Sequence, residues 1–384
     1  MKKTSYAFLC FSSVFAVFLS GCTQKPMMGG SLPAVSAPNT SNKIALRIYN
    51  QLPVYASAAK MEWQPIQKGN VEFSSIVRKR LVALQVMRPH DESLSQGIAE
   101  FQSLNGLRST GKVDVETLQA LNVTPAERYR ELVKSMNEWA KYPEDASSRY
   151  IQVNIPSYTM RLIAAGKTAL EMKAIVGRPS RATPLITSKV TTIVFNPSWT
   201  VPETILAKDV IPGMRENPNY MKEHYDMRIY ASYDKNAAEI SPSSINWETA
   251  RVSNFKYRVT APPSDKNPLG RFKFIFANDH DVYMHDTPEK GLFAMSDRAR
   301  SSGCIRLEDP KALVEYFYAD NNDLNAELVN QYLSTNQTKY IQLRNAMPVY
   351  ITYILDWVDA EGHVHFGKDI YHTRSTVDTN SSEF

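Results

Sequence analysis

The chain has 384 residues, and at about 100–200 residues per domain this leads to two or three domains. An apolar share of 43% with 22% charged excludes a collagen-like or wholly disordered chain, and 10% aromatics, with 20 Tyr in the chain, favour β-rich structure somewhere. The formal charge of +5 falls to +3 without residues 1–21, where Lys2 and Lys3 sit, which is too mild for the clustered basic face of a nucleic-acid binder.

In chain order, Lys2 and Lys3 form a charged start before a 14-residue apolar run from Phe8 to Gly21. That length suits the core of a signal peptide and falls short of the ~20 residues that span a bilayer. The run ends Leu19-Ser20-Gly21-Cys22, which resembles the lipobox of bacterial lipoproteins. The resemblance implies cleavage after residue 21 (signal peptide 1–21), lipid on Cys22, and, with Thr23 next, an outer-membrane anchor facing the periplasm of a Gram-negative bacterium. Cys10 then leaves with the signal and Cys304 is the single free thiol in an oxidising compartment, where cysteines normally pair. By count alone such a thiol is either buried and inert or kept for chemistry.

Residues 22–43 are small, Pro/Gly/Ser-rich and aperiodic, and read as a flexible tether. Residues 44–147 read as a helical region, irregular at first, with a helix predicted near 72–86. Leu94, Ile98, Phe101 and Leu104 fall at helical spacing after Asp91 as N-cap; a second helix opens at Asp114 with Leu118 and Leu121 on one face. The stretch 98–122, IAEFQSLNGLRSTGKVDVETLQALN, resembles the small peptidoglycan-binding module of cell-wall enzymes, placing such a module at about 85–125. A further amphipathic helix runs from Pro125 to Lys141, with Leu132, Met136 and Trp139 inward.

After 147 the period changes from 3.6 to 2. Ile151, Val153 and Ile155 alternate, Pro156-Ser157 turns, and Met160 and Leu162 alternate again, a hairpin signal. Further strand-like runs lie at 190–195, 271–276, 282–285 and 349–355. A Pro-punctuated, partly helical insertion at 202–266 is long enough for a lid. Asp309 as N-cap and Pro310 at the first helical position open a helix burying Leu313, Val314 and Phe317. Residues 358–384 read as a last strand and a polar tail.

The segment 282–310, VYMHDTPEKGLFAMSDRARSSGCIRLEDP, holds the one cluster of nucleophile and base. His285 ends a strand-like run and Cys304 follows 19 positions later in Ser301-Ser302-Gly303-Cys304-Ile305-Arg306. A thiol needs a neighbouring imidazole to become an effective nucleophile. Gly303 would let a substrate approach, amides near Gly303 and Cys304 could form an oxyanion hole, and Arg306 could hold a substrate carboxylate. The segment resembles the L,D-transpeptidase catalytic domain, in the large periplasmic branch that reads SSGC, with Ser302 where many members have a second His, and HDTP, here His285 to Pro288. Val176-Gly177-Arg178-Pro179, Asn196-Pro197-Ser198-Trp199 and Asn267-Pro268-Leu269-Gly270 extend the likeness over about 148–357.

The fold class implied is multidomain α+β: a small helical peptidoglycan-binding-like domain plus a mainly-β catalytic domain with the insertion as its cap. The resemblance implies that Cys304 is the acylated nucleophile and His285 its base, oriented by a backbone carbonyl or by Asp286. Tyr283 and Trp199 are candidates for the cleft wall or for plain core. The implied reaction is acyl transfer between peptidoglycan stem peptides, giving 3→3 diaminopimelate cross-links with loss of D-Ala, without metal or cofactor and open to inactivation by carbapenems. Hydrolysis of the same acyl-enzyme, transfer to or from wall-linked lipoprotein, and an inactive wall-binding anchor are the alternatives. Elsewhere, His363 and His365 share a strand face at a spacing a metal would accept but read as surface histidines, Asp279-His280-Asp281 as a solvated turn, and Arg298 and Arg300 either as attractors of an anionic stem or as a solvated loop.

Overall fold

The computed structural model describes residues 32–67, 69 and 72–373; the signal segment, Cys22 and the tail beyond 373 lie outside them. Helix α1 (Lys43–Ala58) buries Ile44, Ile48, Leu52 and Tyr55 at helical spacing, and its internal Pro53 faces solvent. Asn42 caps it by accepting the Ala45 amide at 2.9 Å. Residues 32–42, read from sequence as tether, instead run along the helices: Leu32 and Val35 pack on their core and Pro33 accepts the Tyr129 hydroxyl at 2.9 Å. Two apolar residues in an otherwise polar stretch suffice to pin it.

Helices α2 (Phe73–Ala83), α3 (Leu94–Leu104), α4 (Val115–Asn122) and α5 (Pro125–Trp139) complete the module. The N-cap of α3 is Ser93, which accepts the Gln96 amide at 3.2 Å, while Asp91 caps the preceding turn through the Arg88 amide at 2.7 Å. Both residue types can cap, and the nearer one to the first apolar position does so. Asp114 caps α4, and Thr124 with Glu127 closes a reciprocal capping box on α5.

Among the described residues, nine strands form the main sheet. These are β1 (Arg149–Asn154), β2 (Thr159–Ala164), β3 (Lys167–Gly177), β4 (Ile186–Phe195), β9 (Phe272–Phe276), β10 (Met284–His285), β11 (Ala299–Ser301), β12 (Ile305–Leu307) and β13 (Lys339–Thr352). Their order is β11-β3-β12-β10-β9-β4-β13-β1-β2, and β2 also pairs with β3, so the sheet closes on itself like a barrel. Closure removes the exposed edges an open sheet would leave. Ile151, Val153, Phe272, Phe274, Met284 and Ile305 fill the core, joined from outside by Leu313, Val314 and Phe317.

Four short strands, β5 (Trp199–Thr200), β6 (Arg228–Tyr230), β7 (Glu239–Ile240) and β8 (Arg258–Ala261), form a second sheet in the order β5-β8-β6-β7. With the helical segments from 203 to 223 they enclose a separate core of Leu206, Val210, Ile211, Met214, Met221, Ile229 and Val259. This is the cap. The last hairpin, β14 (Asp356–Val358) with β15 (Val364–Phe366), leaves the barrel and packs into the helical module through Ile354, Val358 and Phe366.

That docking rests on Trp139, 2% exposed, whose indole N–H donates to the Asp356 carbonyl at 2.9 Å, and on Ser135, which donates to the Asp356 carboxylate at 2.9 Å. Trp139→Ala opens a large cavity and orphans that carbonyl, and is expected to cost about 3–5 kcal/mol. Urea unfolding followed by helical circular dichroism checks this; an unchanged midpoint would contradict the account.

Candidate active site

The register of three strands builds the site. Met284 on β10 lies opposite Ile305 on β12 and Phe274 on β9, all core residues, while His285 lies opposite Arg306 and Lys273. Directly paired residues share a face and successive ones alternate. Tyr283, His285, Cys304, Arg306 and Lys273 therefore share the opposite face of the sheet, and the first four line a cleft of about 1000 Å³ between barrel and cap. Trp199, Tyr225, Asp209 and Arg181 line the same cleft, so Trp199 serves at once as cap core and cleft wall.

His285 is 5% exposed, and its Nδ1 lies 2.5 Å from the Asp286 carbonyl. A carbonyl only accepts, so Nδ1 carries the proton and Nε2 is left as the acceptor. The Asp286 carboxylate does not orient the ring. It accepts the amides of Arg271 at 2.8 Å and Thr287 at 2.7 Å and pairs with Lys290 at 2.8 Å. Gly270, at φ +57°, makes room for it, since a Cβ there would stand 2.3 Å from Asp286 Oδ2. Burial, with Arg306 and Lys273 adding positive charge, holds His285 down to about 3 against the pull of the Asp286 carbonyl. The imidazole is neutral at any ordinary pH.

Cys304 is half-buried and its thiol donates to the Asp281 carbonyl at 3.8 Å. Burial pushes this thiol up, opposed by the amide and phenol of Tyr283 and then by the charges of Lys273 and Arg306. Resting sulfur and imidazole are thus both neutral. Burial also raises the Tyr283 phenol well above its ordinary value. The loop before the thiol is clamped: Gly303, at φ +119°, donates its amide to Ser301 Oγ at 3.1 Å, and its carbonyl accepts Thr183 Oγ1 at 2.8 Å. The Gly303 amide, one of the two considered for an oxyanion hole, is thus already engaged inside the loop.

Arg306 does not stand free for a substrate carboxylate, because it is paired with Glu289, which also accepts the Tyr225 hydroxyl of the cap at 3.5 Å. Ser302 accepts Arg181 Nη1 at 2.9 Å, and the same nitrogen reaches Asp209 on the cap at 2.7 Å. A barrel-to-cap ion pair therefore also holds Ser302, two residues before the thiol. Asp209 lies in a π-helical turn, Leu206–Val210, a geometry that often marks functional positions. Asp209→Asn should loosen the cap by about 1 kcal/mol, raising amide exchange over 203–216 roughly fivefold while the barrel strands stay protected. Hydrogen-exchange mass spectrometry reads both regions; equal exchange in cap and barrel would count against the latch.

The remaining candidates separate. His280 and Asp281 form a turn, as the sequence suggested, but at the cleft mouth. Arg300 lines the cleft, whereas Arg298 is used structurally, donating to the Met295 carbonyl at 2.9 Å and lying over the Tyr158 ring. His363 and His365 both meet Asp359, at 3.2 and 2.8 Å, and His365 stacks on Trp357. Among the described residues no group of three or more His, Cys, Asp or Glu is placed to hold a metal. Sequence reasoning passed over Lys273, Arg181, Asp209 and Glu289; only Lys273 carried a local signal, a lone charge between Phe272 and Phe274 in an alternating strand.

A closed barrel with a Cys and a His lining one cleft under an inserted cap is the setting in which the comparisons with known proteins are read. Residues 148–340 match the family model of the L,D-transpeptidase catalytic domain, and residues 81–121 match one described as "Putative peptidoglycan binding domain". The chain belongs to the L,D-transpeptidase family. A Haemophilus influenzae protein named "Putative L,D-transpeptidase" is 35% identical over 221 residues, 58% of this chain and 44% of that protein, so the chain spans under half of that relative's length. Among solved structures, an L,D-transpeptidase from Mycobacterium smegmatis is 12% identical, covering 53% of this chain and 59% of that one, with a TM-score of 0.24. L,D-transpeptidase 3 from Mycobacterium tuberculosis is 13% identical, covering 53% and 60%, also with a TM-score of 0.24.

Proposed function

We propose that this chain forms 3→3 cross-links in peptidoglycan through a thioester on Cys304. The observation that carries the reading is the shared face of two adjacent parallel strands. It sets Cys304 and His285 on one face of the cleft, diagonally across the pair of strands, with Nδ1 of His285 fixed on a carbonyl and Nε2 left to accept a proton. The thiol proton passes to Nε2 as sulfur attacks the diaminopimelate carbonyl of a tetrapeptide stem. The imidazolium gives that proton to the departing D-Ala amine, and the thioester remains. The side-chain amine of a second stem then attacks, its proton passing through His285 back to sulfur. The module at 81–121 would hold the enzyme on its polymer, and lipid on Cys22 would keep it at the outer membrane facing the periplasm.

Incubating the chain without residues 1–22 with tetrapeptide-rich muropeptides tests the reaction. A 3→3 dimer by mass spectrometry that disappears in Cys304→Ala supports it. Free tripeptide without dimer would make the enzyme a hydrolase, and no turnover would leave the wall-binding anchor. A palmitate analogue that still labels the full-length Cys22→Ala variant would defeat the anchor.

A further inference from the structure

Lys273 on β9 is a charge beside the thiol that the reaction so far leaves unused. It sits on β9 between Phe272 and Phe274, both core residues, and opposite His285, so its side chain lies on the same face of the sheet as the thiol. Its ammonium lies 3.7 Å from the centre of the Tyr283 ring, a cation–π contact that fixes it in place. A half-buried ammonium costs stability unless something compensates for it. The charged partners that act on it are Cys304 first and Asp281 second.

We propose that Lys273 is a positioning residue whose ammonium, held on the face of Tyr283, is the principal counter-charge to the sulfur anion that forms on Cys304. The groups acting on that sulfur are Lys273 from β9, Asp281 from the turn, Tyr283 just before β10, and Arg306 from β12 with Glu289 and the cap's Tyr225 behind it, while His285 on β10 lines the same cleft. Arg306 is already neutralised by Glu289, and Asp281 brings negative charge. Of these two cations, Lys273 is the one that makes no ion pair among the described residues, Asp281 acting on it only from a distance. The two cations also divide their influence: of the pair, Lys273 acts more strongly on Cys304 and Arg306 more strongly on His285. As the thiol proton moves to His285, the charge left on sulfur is met by Lys273 rather than by the imidazolium alone.

The inference rests on Cys304 as nucleophile, yet its test needs no stem peptide. Alkylation by iodoacetamide forms an Sγ–C bond, releases iodide and sends the thiol proton to solvent, so its rate follows the thiolate population. The rate is read across pH 6–10 on the full chain, by mass spectrometry of the tryptic peptide 301–306, which isolates Cys304 from Cys10 and Cys22. Lys273→Met, which keeps the aliphatic stem on the ring, is expected to move the midpoint up by about one pH unit and slow alkylation at pH 7 about tenfold. Lys273→Arg should restore the rate to within about threefold. A folded Lys273→Met with the wild-type midpoint overturns the proposal. If Lys273→Met does not fold, Lys273→Gln is read in its place. Failure of both neutral variants to fold, with Lys273→Arg folded, would make the residue structural and overturn it as well. Dimer formation surviving in Cys304→Ala would instead defeat the functional reading and leave the measured Lys273–thiol coupling standing.

Discussion

Cys304→Ser is expected to leave the thermal midpoint within about 1 °C and to lower 3→3 dimer formation at least about 10³-fold, a barrier increase of about 4 kcal/mol. The two side chains are nearly isosteric, and the thiol's hydrogen bond to the Asp281 carbonyl is long at 3.8 Å, so little packing is at stake. The chemistry is another matter. A hydroxyl is a far weaker acid than a thiol, and a neutral imidazole already pushed down to about 3 is a weak base for deprotonating it. Cys304 and His285 act as a unit in the proposed reaction, so Cys304→Ser combined with His285→Gln should be no slower than the slower single variant. Rates from initial dimer yield, with melting curves for each variant, check both statements. A serine variant keeping a tenth of the wild-type rate would exclude thioester chemistry at this residue.

What the sequence disclosed follows from where its signals are local. The strand at 272–276 was legible because one face is buried, which forces the period of 2 on Phe272-Phe274-Phe276; at 149–164 both faces are buried, and the alternation survives because Gln152, Asn154 and Arg161 oppose the apolar face of Ile151, Val153, Met160 and Leu162. The caps at Asp114 and Asp309 were legible because each bonds an amide three residues on. Helix α1 was not singled out within the helical region although Ile44, Ile48, Leu52 and Tyr55 repeat at helical spacing, because the residues between them are mixed in character; its internal Pro53 faces solvent. For His285 no local pattern could separate the Asp286 carbonyl from the Asp286 carboxylate, since both belong to the next residue. The Arg181–Asp209 and Arg181–Ser302 contacts span 28 and 121 positions, and closure of the barrel under its cap is what brings them together.

The buried neutral state of His285 leads to a second large effect, on stability and on rate. An imidazole that ordinarily titrates near 6.5 is held near 3 in the folded chain, so between these values the unfolded chain binds a proton that the folded one does not. The stability tied to this residue is therefore fully present above about pH 6.5 and is lost as pH falls toward 3. At pH 4.5 the loss amounts to about 2–3 kcal/mol, one pH unit being 1.36 kcal/mol. His285→Asn cannot take up that proton, so its urea-unfolding free energy should fall less between pH 7.5 and 4.5 than the wild type's, by about that amount. The carboxylates common to both chains cancel in this comparison. The same neutrality shapes catalysis. With the imidazole unprotonated and the thiol raised by burial, the reactive pair persists across the physiological range. The kcat/KM for acylation should then be level from about pH 5 to 8, without the decline below 6.5 that an ordinary histidine base imposes. An acid limb centred near 6.5 that vanishes in no variant but those at His285 would show the ring to be far more solvated than its 5% exposure implies.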